Sequence, residues 1–107
     1  MGFFSKIPSV TAPQAAEHTK RDGTVLIDVR SEVEFASGHA KSAINCPLPS
    51  LRNCVERLRS FVSVYVICQS GGRSSTATSM LISEKINATN VAGGTSAWRA
   101  HGLPIHN

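Results

Sequence analysis

The sequence is short of cysteine and of aromatic residues, and it has no long apolar run. Its 107 residues include three cysteines, four phenylalanines, one tryptophan and one tyrosine. A small, odd number of cysteines excludes a disulfide framework as the basis of the fold. No uninterrupted apolar segment approaches the ~20 residues that cross a bilayer, so no membrane partner is expected. The first residues also lack the pattern of a secretory signal, and a cytoplasmic location is therefore predicted.

Metal-binding spacings are missing as well. The sequence contains no Cys-x2-Cys or His-x3-His pair, so no metal site is expected. The net charge is +4, from 11 basic and 7 acidic residues, which raises the question of a nucleic-acid partner. The basic residues are dispersed and no aromatic ladder accompanies them, so no nucleic-acid binding is expected. A mildly positive surface suits small anionic substrates instead.

Apolar, β-branched runs alternate with segments that carry helix signals. Strands are predicted at 24–29, 43–45, 61–67 and 89–91, and helices at 11–20, 31–38, 51–58, 74–86 and 96–100. The alternation predicts one α/β domain over residues 1–107 with a largely parallel sheet. In such sheets, ligands bind outside the carboxyl ends of the strands.

Three helix starts have recognisable caps. Thr11 with Gln14, and Ser31 with Glu34, have the spacing of capping boxes. Ser74 or Ser75 is expected to cap the helix that follows the most β-rich strand.

The segment after that strand, residues 68–73, is called here the Cys68 loop. It begins with a cysteine and holds two glycines and small polar residues. Glycines let backbone N–H groups turn inward into an anion-binding nest, and a helix N-terminus adds partial positive charge. Such surroundings lower a thiol pKa from ~8.5 to about 7, where about half of the thiol is ionised at neutral pH. Cys68 is therefore the candidate catalytic nucleophile, and the candidate substrate-binding residues are Gln69, Ser70, Gly71, Gly72 and Arg73.

Four motifs in the right order resemble the single-domain rhodanese family, the thiosulfate sulfurtransferases. CQSGGRS at 68–74 resembles the active-site loop of that family, and LIDVR at 26–30 with EF at 34–35 and GH at 38–39 resembles its amino-terminal signature. AINCP at 43–47 resembles the element after it, and the carboxy-terminal signature is matched by Gly93, Gly94, Trp98, Gly102 and Pro104.

The resemblance implies a five-stranded, mostly parallel sheet with helices on both faces. It also implies that the Cys68 thiolate takes a sulfane sulfur from thiosulfate or a persulfide donor. The resulting persulfide passes that sulfur to cyanide or a thiol. No cofactor is expected, because the sulfur travels on the protein. Displacement at sulfur by a thiolate needs no general base, so no histidine need stand beside Cys68.

The sequence has two alternative functions, one disfavoured by its spacing and one left open. The resemblance extends to rhodanese-like phosphatases, which use Cys-x5-Arg, but Cys68 and Arg73 form the shorter Cys-x4-Arg, which disfavours phosphate chemistry. The alternative from another class is a persulfide-carrying or partner-binding module that docks on a sulfur-relay protein and shows little small-molecule turnover.

Two arginines have ambiguous roles in the sequence. Arg30 either lines the anion site or pairs with Asp28 or Glu34, and the pairing is favoured. Arg73 either binds the donor or points outward to pair with an acid, and the sequence leaves both open.

Three further residues are interpreted as structural. His39 is expected to hold a loop by a hydrogen bond. Cys46 and Cys54 are expected to pack in the core, although either could resolve a persulfide if it lay near Cys68.

Overall fold

The computed structural model describes residues 7–107. The expectation of no secretory signal refers to the first residues, which lie outside this range. Strands and helices alternate through the described chain, with a 3-10 segment at Leu48–Cys54. The elements are β1 (Ser9–Val10), α1 (Ala12–His18), β2 (Thr24–Asp28), α2 (Glu32–Ala36), β3 (His39–Ala40), β4 (Ile44–Asn45), α3 (Val55–Leu58), β5 (Ser63–Ile67), α4 (Gly72–Ser83), β6 (Ala88–Val91), α5 (Gly94–Ala100) and β7 (Ile105–His106).

The main sheet has five strands in the order β1-β6-β5-β2-β4. Every neighbouring pair in it is parallel, and β5 lies at the centre. Strands β3 and β7 form a separate antiparallel pair. The prediction of a five-stranded, mostly parallel sheet is therefore confirmed. Because parallel strands end at the same edge, the carboxyl ends of β2, β5 and β6 lie together where the Cys68 loop begins.

Helices cover both faces of this sheet, as predicted. Successive side chains of a strand point to opposite faces of the sheet. Two residues that are partners on neighbouring strands point to the same face. Ile27 and Val66 are partners, and they pack in the core that contains α3 and α4. Leu26 and Tyr65 are also partners, and they pack on the opposite side with α1 and Trp98 of α5. Each face is apolar because each carries its own helix layer.

Helix α4 does not start as predicted. Neither Ser74 nor Ser75 caps it, because Gly71 occupies the N-cap position and makes no side-chain cap. Gly71 has a φ of 113°, a left-handed conformation that glycine adopts without steric cost. This turn brings the chain into the helix at Gly72, so the last two residues of the Cys68 loop already belong to α4.

Helix α4 also ends earlier than residue 86. Lys85 has a φ of 66°, and its N–H donates to the carbonyl of Ile82 at 2.9 Å. The N–H of Ile86 donates to the carbonyl of Leu81 at 3.0 Å. This pair of bonds is the Schellman end of a helix, with lysine at the position that glycine usually fills. Without a glycine, the sequence carried no visible stop signal there.

Other boundaries differ in smaller ways. The first half of the helix predicted at 51–58 is 3-10 and the second half is the short α3, and its apolar positions are buried. Helix α5 begins at Gly94, two residues before the predicted start at 96. Both predicted capping boxes are present. The two-residue strands β1, β3 and β7 were not predicted, because such short segments show no periodicity.

Candidate active site

Cys68 lies directly after the central strand β5, and its side chain is buried, with 1% of the residue exposed. The N–H of Gly71 donates to the Cys68 sulfur at 3.1 Å. The backbone N–H groups of Ser70 and Ser74 also act on this thiol, since both lower its pKa. The thiol therefore sits in a nest of N–H donors at the start of α4.

The nest changes the acidity of the thiol. Burial raises the pKa of Cys68, but hydrogen bonds from the hydroxyl and N–H of Ser74 and from the N–H groups of Gly71 and Ser70 lower it. The lowering contributions are larger together, so the pKa lies below the ordinary thiol value. A lowered pKa increases the thiolate fraction near neutrality, and the thiolate is the nucleophilic form.

Ser74 is the residue at this site that sequence reasoning missed, because it was interpreted only as a helix cap. It is fully buried, its hydroxyl donates to Oδ1 of Asn90, and the same side chain is among the groups that lower the pKa of Cys68. A hydroxyl has one proton, so Ser74 donates to the thiolate only when it turns from Asn90. The position of Ser74 at the start of the predicted helix could have indicated this role, since a side chain in the first turn of a helix points back towards the preceding residues.

Gln69 braces the Cys68 loop against other elements. Its side-chain Nε2 donates to Oγ of Ser96 at 2.9 Å, and its Oε1 accepts from Nη1 of Arg30 at 3.4 Å. Its backbone carbonyl accepts from the N–H of Ser96 at 3.0 Å. The side chain of Gln69 is thus engaged with α5 and Arg30, away from the sulfur.

Arg73 points outward from the Cys68 loop to an acid. Its Nη1 and Nη2 donate to Oε1 and Oε2 of Glu34 at 2.7 and 2.9 Å. The sequence left open whether Arg73 binds the donor or pairs with an acid. In the structure it forms the ion pair with Glu34. Gly72, the preceding residue, is exposed, and no neighbouring side chain occupies the space where its Cβ would lie.

Arg30 forms a buried pair with Asp28, as the favoured interpretation predicted. The carboxylate of Asp28 accepts from Nη2 at 2.8 Å and from Nε at 3.0 Å. The same Nη2 donates to the carbonyl of Gly38 at 2.8 Å. Glu34 is not the partner of Arg30, because the Glu34 carboxylate pairs with Arg73.

Comparison with known proteins places this geometry in a family. A model of the rhodanese-like domain matches residues 11–101. The chain belongs to the rhodanese-like family. This domain is 34% identical over 117 aligned residues to thiosulfate sulfurtransferase 16, chloroplastic, of Arabidopsis thaliana, covering 97% of this chain and 98% of the relative. It is 30% identical over 101 residues to thiosulfate sulfurtransferase GlpE of Pseudomonas putida, covering 94% and 89%.

A solved structure gives the same result. The rhodanese-related protein from Thermoplasma volcanium superposes with a TM-score of 0.83 at 31% identity, covering 92% of this chain and 97% of that one. The rhodanese-like domain described here is accordingly a rhodanese-type transferase with sulfurtransferase activity.

The two other cysteines of this rhodanese-like domain are buried beneath Arg57. The Nη2 of Arg57 lies 3.7 Å from the sulfur of Cys54 and 4.0 Å from that of Cys46. Burial, together with the neighbouring Cys54 thiol, raises the pKa of Cys46 to about 12. Both cysteines pack in the hydrophobic core, as expected.

His39 holds the end of α2. Its Nδ1 lies 2.8 Å from the carbonyl oxygen of Phe35, and the two rings stack with centroids 3.6 Å apart. This matches the loop-holding hydrogen bond that was predicted.

Two further findings concern residues 7–107 only. No group of three or more His, Cys, Asp or Glu side chains in this part is arranged to hold a metal ion. None of its helices has the length and apolar character needed to cross a membrane.

Proposed function

We propose that Cys68 is the nucleophile of this sulfurtransferase and carries the transferred sulfur as a persulfide. The observation that carries the proposal is the buried Cys68 sulfur that accepts an N–H bond from Gly71 at 3.1 Å within the nest. A thiol with donors on several sides and a lowered pKa is suited to nucleophilic attack.

The reaction has two balanced steps. The Cys68 thiolate attacks the outer sulfur of thiosulfate, a new S–S bond forms, and the old S–S bond breaks with its electron pair leaving on sulfite. Cyanide or a thiolate then attacks the outer sulfur of the Cys68 persulfide, forming thiocyanate or a new persulfide and restoring the thiolate. A protein or low-molecular-weight persulfide can replace thiosulfate in the first step, with a thiol as the leaving group.

The Cys68 loop has a role in both steps. The N–H groups of Ser70, Gly71 and Ser74 stabilise the thiolate before attack and the persulfide anion after it. Gly72 and Arg73 are exposed residues in the first turn of α4, where backbone N–H groups have no partner within the helix and can bind the oxygen atoms of a donor. Gln69 acts indirectly, by bracing the loop.

Intact mass spectrometry tests the covalent step. Wild-type protein incubated with thiosulfate is expected to gain the mass of one sulfur atom, and cyanide is expected to remove it. Cys68→Ser should gain nothing, while Cys54→Ala, a matched removal of another buried cysteine, should still gain one sulfur. A sulfur that remains on Cys68→Ser would disprove the assignment of the nucleophile.

Steady-state kinetics separates the enzyme from a partner-docked carrier. An enzyme for small donors shows saturable thiocyanate formation with thiosulfate, lost in Cys68→Ser. A carrier loads only from its partner and shows poor saturation. The names of the sulfurtransferase relatives favour the enzyme, which is the proposal made here.

We also propose that residues 10–104 form the whole functional unit and that it works in the cytoplasm. The family match over 11–101 supports the first part, and three unpaired cysteines support a reducing compartment. Limited proteolysis should leave a core of this size that still takes up sulfur. Cell fractionation tests the location, and recovery in an organelle or an external fraction would contradict it.

A further inference from the structure

Both guanidinium groups that reach the Cys68 loop are already paired with carboxylates. Arg73 is held by Glu34 through two parallel hydrogen bonds of 2.7 and 2.9 Å. Arg30 touches Gln69 of the loop, but its charge is matched by the buried carboxylate of Asp28 at 2.8 Å. Both of these positive charges are therefore paired with a negative charge.

The two pairs differ in how they are held. The Arg30–Asp28 pair is almost completely buried, at 3% and 0% side-chain exposure, and supports the fold. The Arg73–Glu34 pair is half-exposed, at 42% and 36%, and exposed pairs contribute little to stability. Besides its part in the capping box of α2, Glu34 thus places a negative charge beside the Cys68 loop.

Glu34 keeps its negative charge over the whole working pH range. The hydrogen bond from Arg73, followed by that from the N–H of Ser31, lowers the pKa of Glu34 to about 2. Arg73 lies two residues after Gly71, whose N–H donates to the Cys68 sulfur at 3.1 Å, so it belongs to the same turn as the reacting atom. The charge of the Cys68 thiolate is accordingly among the influences that raise the pKa of Arg73. When Glu34 neutralises Arg73, the electrostatic potential at the Cys68 loop therefore becomes less positive.

The effect on a donor depends on the donor's charge. Coulomb energy is proportional to charge, so an unpaired cation near the loop favours a dianion twice as strongly as a monoanion. Thiosulfate is a dianion, whereas thiol persulfides and alkyl thiosulfonates carry a single charge at the reacting end. When both cations are paired with carboxylates, the site attracts a dianionic donor little more strongly than a monoanionic one.

We propose that Glu34 is a specificity-determining residue which, by pairing Arg73, turns the preference of the site from dianionic towards singly charged sulfur donors. This inference rests on the proposed function of Cys68. It predicts that release of Arg73 from Glu34 restores selectivity for thiosulfate.

The experiment compares two donors of similar chemistry and different charge, thiosulfate and methanethiosulfonate, with thiocyanate formation from cyanide as the common readout. In Glu34→Gln at low ionic strength, kcat/KM should rise about tenfold for thiosulfate and about threefold for methanethiosulfonate. The ratio of the two values is the decisive quantity, because the thiolate fraction of Cys68 cancels in it. Glutamine also keeps the capping box of α2, so the helix start is preserved.

Two further variants control for charge and for position. Glu32→Gln removes the same charge from the same helix, and Glu32 forms no ion pair with any residue from 7 to 107, so its ratio should stay near the wild-type value. The double variant Glu34→Gln/Arg73→Gln removes both partners, and its ratio should return towards wild type. Added salt should reduce the gain of Glu34→Gln.

The possible results are distinct. An unchanged or lower ratio in Glu34→Gln, or an equal rise in Glu32→Gln, overturns the specificity role of Glu34 while the proposed function stands. Equal loss with both donors means that Glu34 only braces the loop, which also overturns it. Wild-type protein without turnover of either donor refutes the proposed function, and this inference with it.

Discussion

Thr95 donates twice to the carbonyl oxygen of Cys68, through its N–H at 2.8 Å and through its hydroxyl at 3.0 Å. Thr95 is fully buried and lies in the first turn of α5. These bonds hold the Cys68 carbonyl against α5, while the N–H groups of the Cys68 loop face the sulfur. Helix α5, which is distant in sequence, therefore fixes the backbone of the nucleophile.

Gly94→Ala should damage this contact. Gly94 has a φ of 57°, and an added Cβ would collide with the backbone carbonyls of Cys68 and Gln69. Left-handed strain and overpacking together are expected to cost about 2–4 kcal/mol of unfolding free energy, measured by urea denaturation. Gly72→Ala is the matched control, because it has open space and an ordinary helical φ, and it should leave stability equal or slightly higher. Equal losses in the two variants would contradict the role of the contact.

The pH dependence of Cys68 reactivity should follow its lowered pKa. The rate of alkylation by iodoacetamide increases with the thiolate fraction, so its midpoint should lie below the ordinary thiol value of about 8.5. Ser74→Ala removes a side chain that lowers the pKa of Cys68, and the midpoint should then move upward. Ser79→Ala, an exposed serine on the same helix, should not move it. A midpoint unaffected by Ser74→Ala would show that the backbone N–H groups act alone.

Cys46 should resist alkylation under the conditions that modify Cys68. Its pKa of about 12 leaves a thiolate fraction on the order of one in 100,000 at neutral pH. Peptide mapping after limiting iodoacetamide is expected to find the label on Cys68 and none on Cys46. Unfolding in urea before labelling serves as the control and should expose both. Labelling of native Cys46 at a comparable rate would reopen its role as a resolving thiol.

Asp28→Asn should be one of the most destabilising polar substitutions. It leaves the guanidinium of Arg30 buried without a counter-charge, and loss of one partner of a buried pair costs about 3–5 kcal/mol. The measurement is the urea midpoint and slope. Glu17→Gln, which removes the partner of Lys20 in a pair exposed by about 70% on both sides, should change stability by less than about 1 kcal/mol. Similar effects of both substitutions would mean that the Arg30 charge is hydrated.

Local sequence patterns predicted much of the fold. The β-branched runs in β2 and β5 and the capping boxes at Thr11 and Ser31 act over a few residues, and these elements formed as predicted. The start and end of α4 were wrong because left-handed residues, Gly71 and Lys85, set them. Such conformations are selected by bonds to neighbouring turns, which residue type alone does not reveal.

The order of residues already contains the chemistry of the site: a cysteine at the end of a buried strand, followed by small residues that allow a tight nest. Which other groups share that site follows from tertiary packing. Ser74 lowers the pKa of Cys68 because α4 begins inside the loop, and Glu34 meets Arg73 across 39 positions of sequence. Thr95 reaches the Cys68 carbonyl from α5. The reason is physical, because strand and turn signals act over short distances, whereas pairing of charges and hydrogen bonds at the sheet edge depends on how separate elements pack.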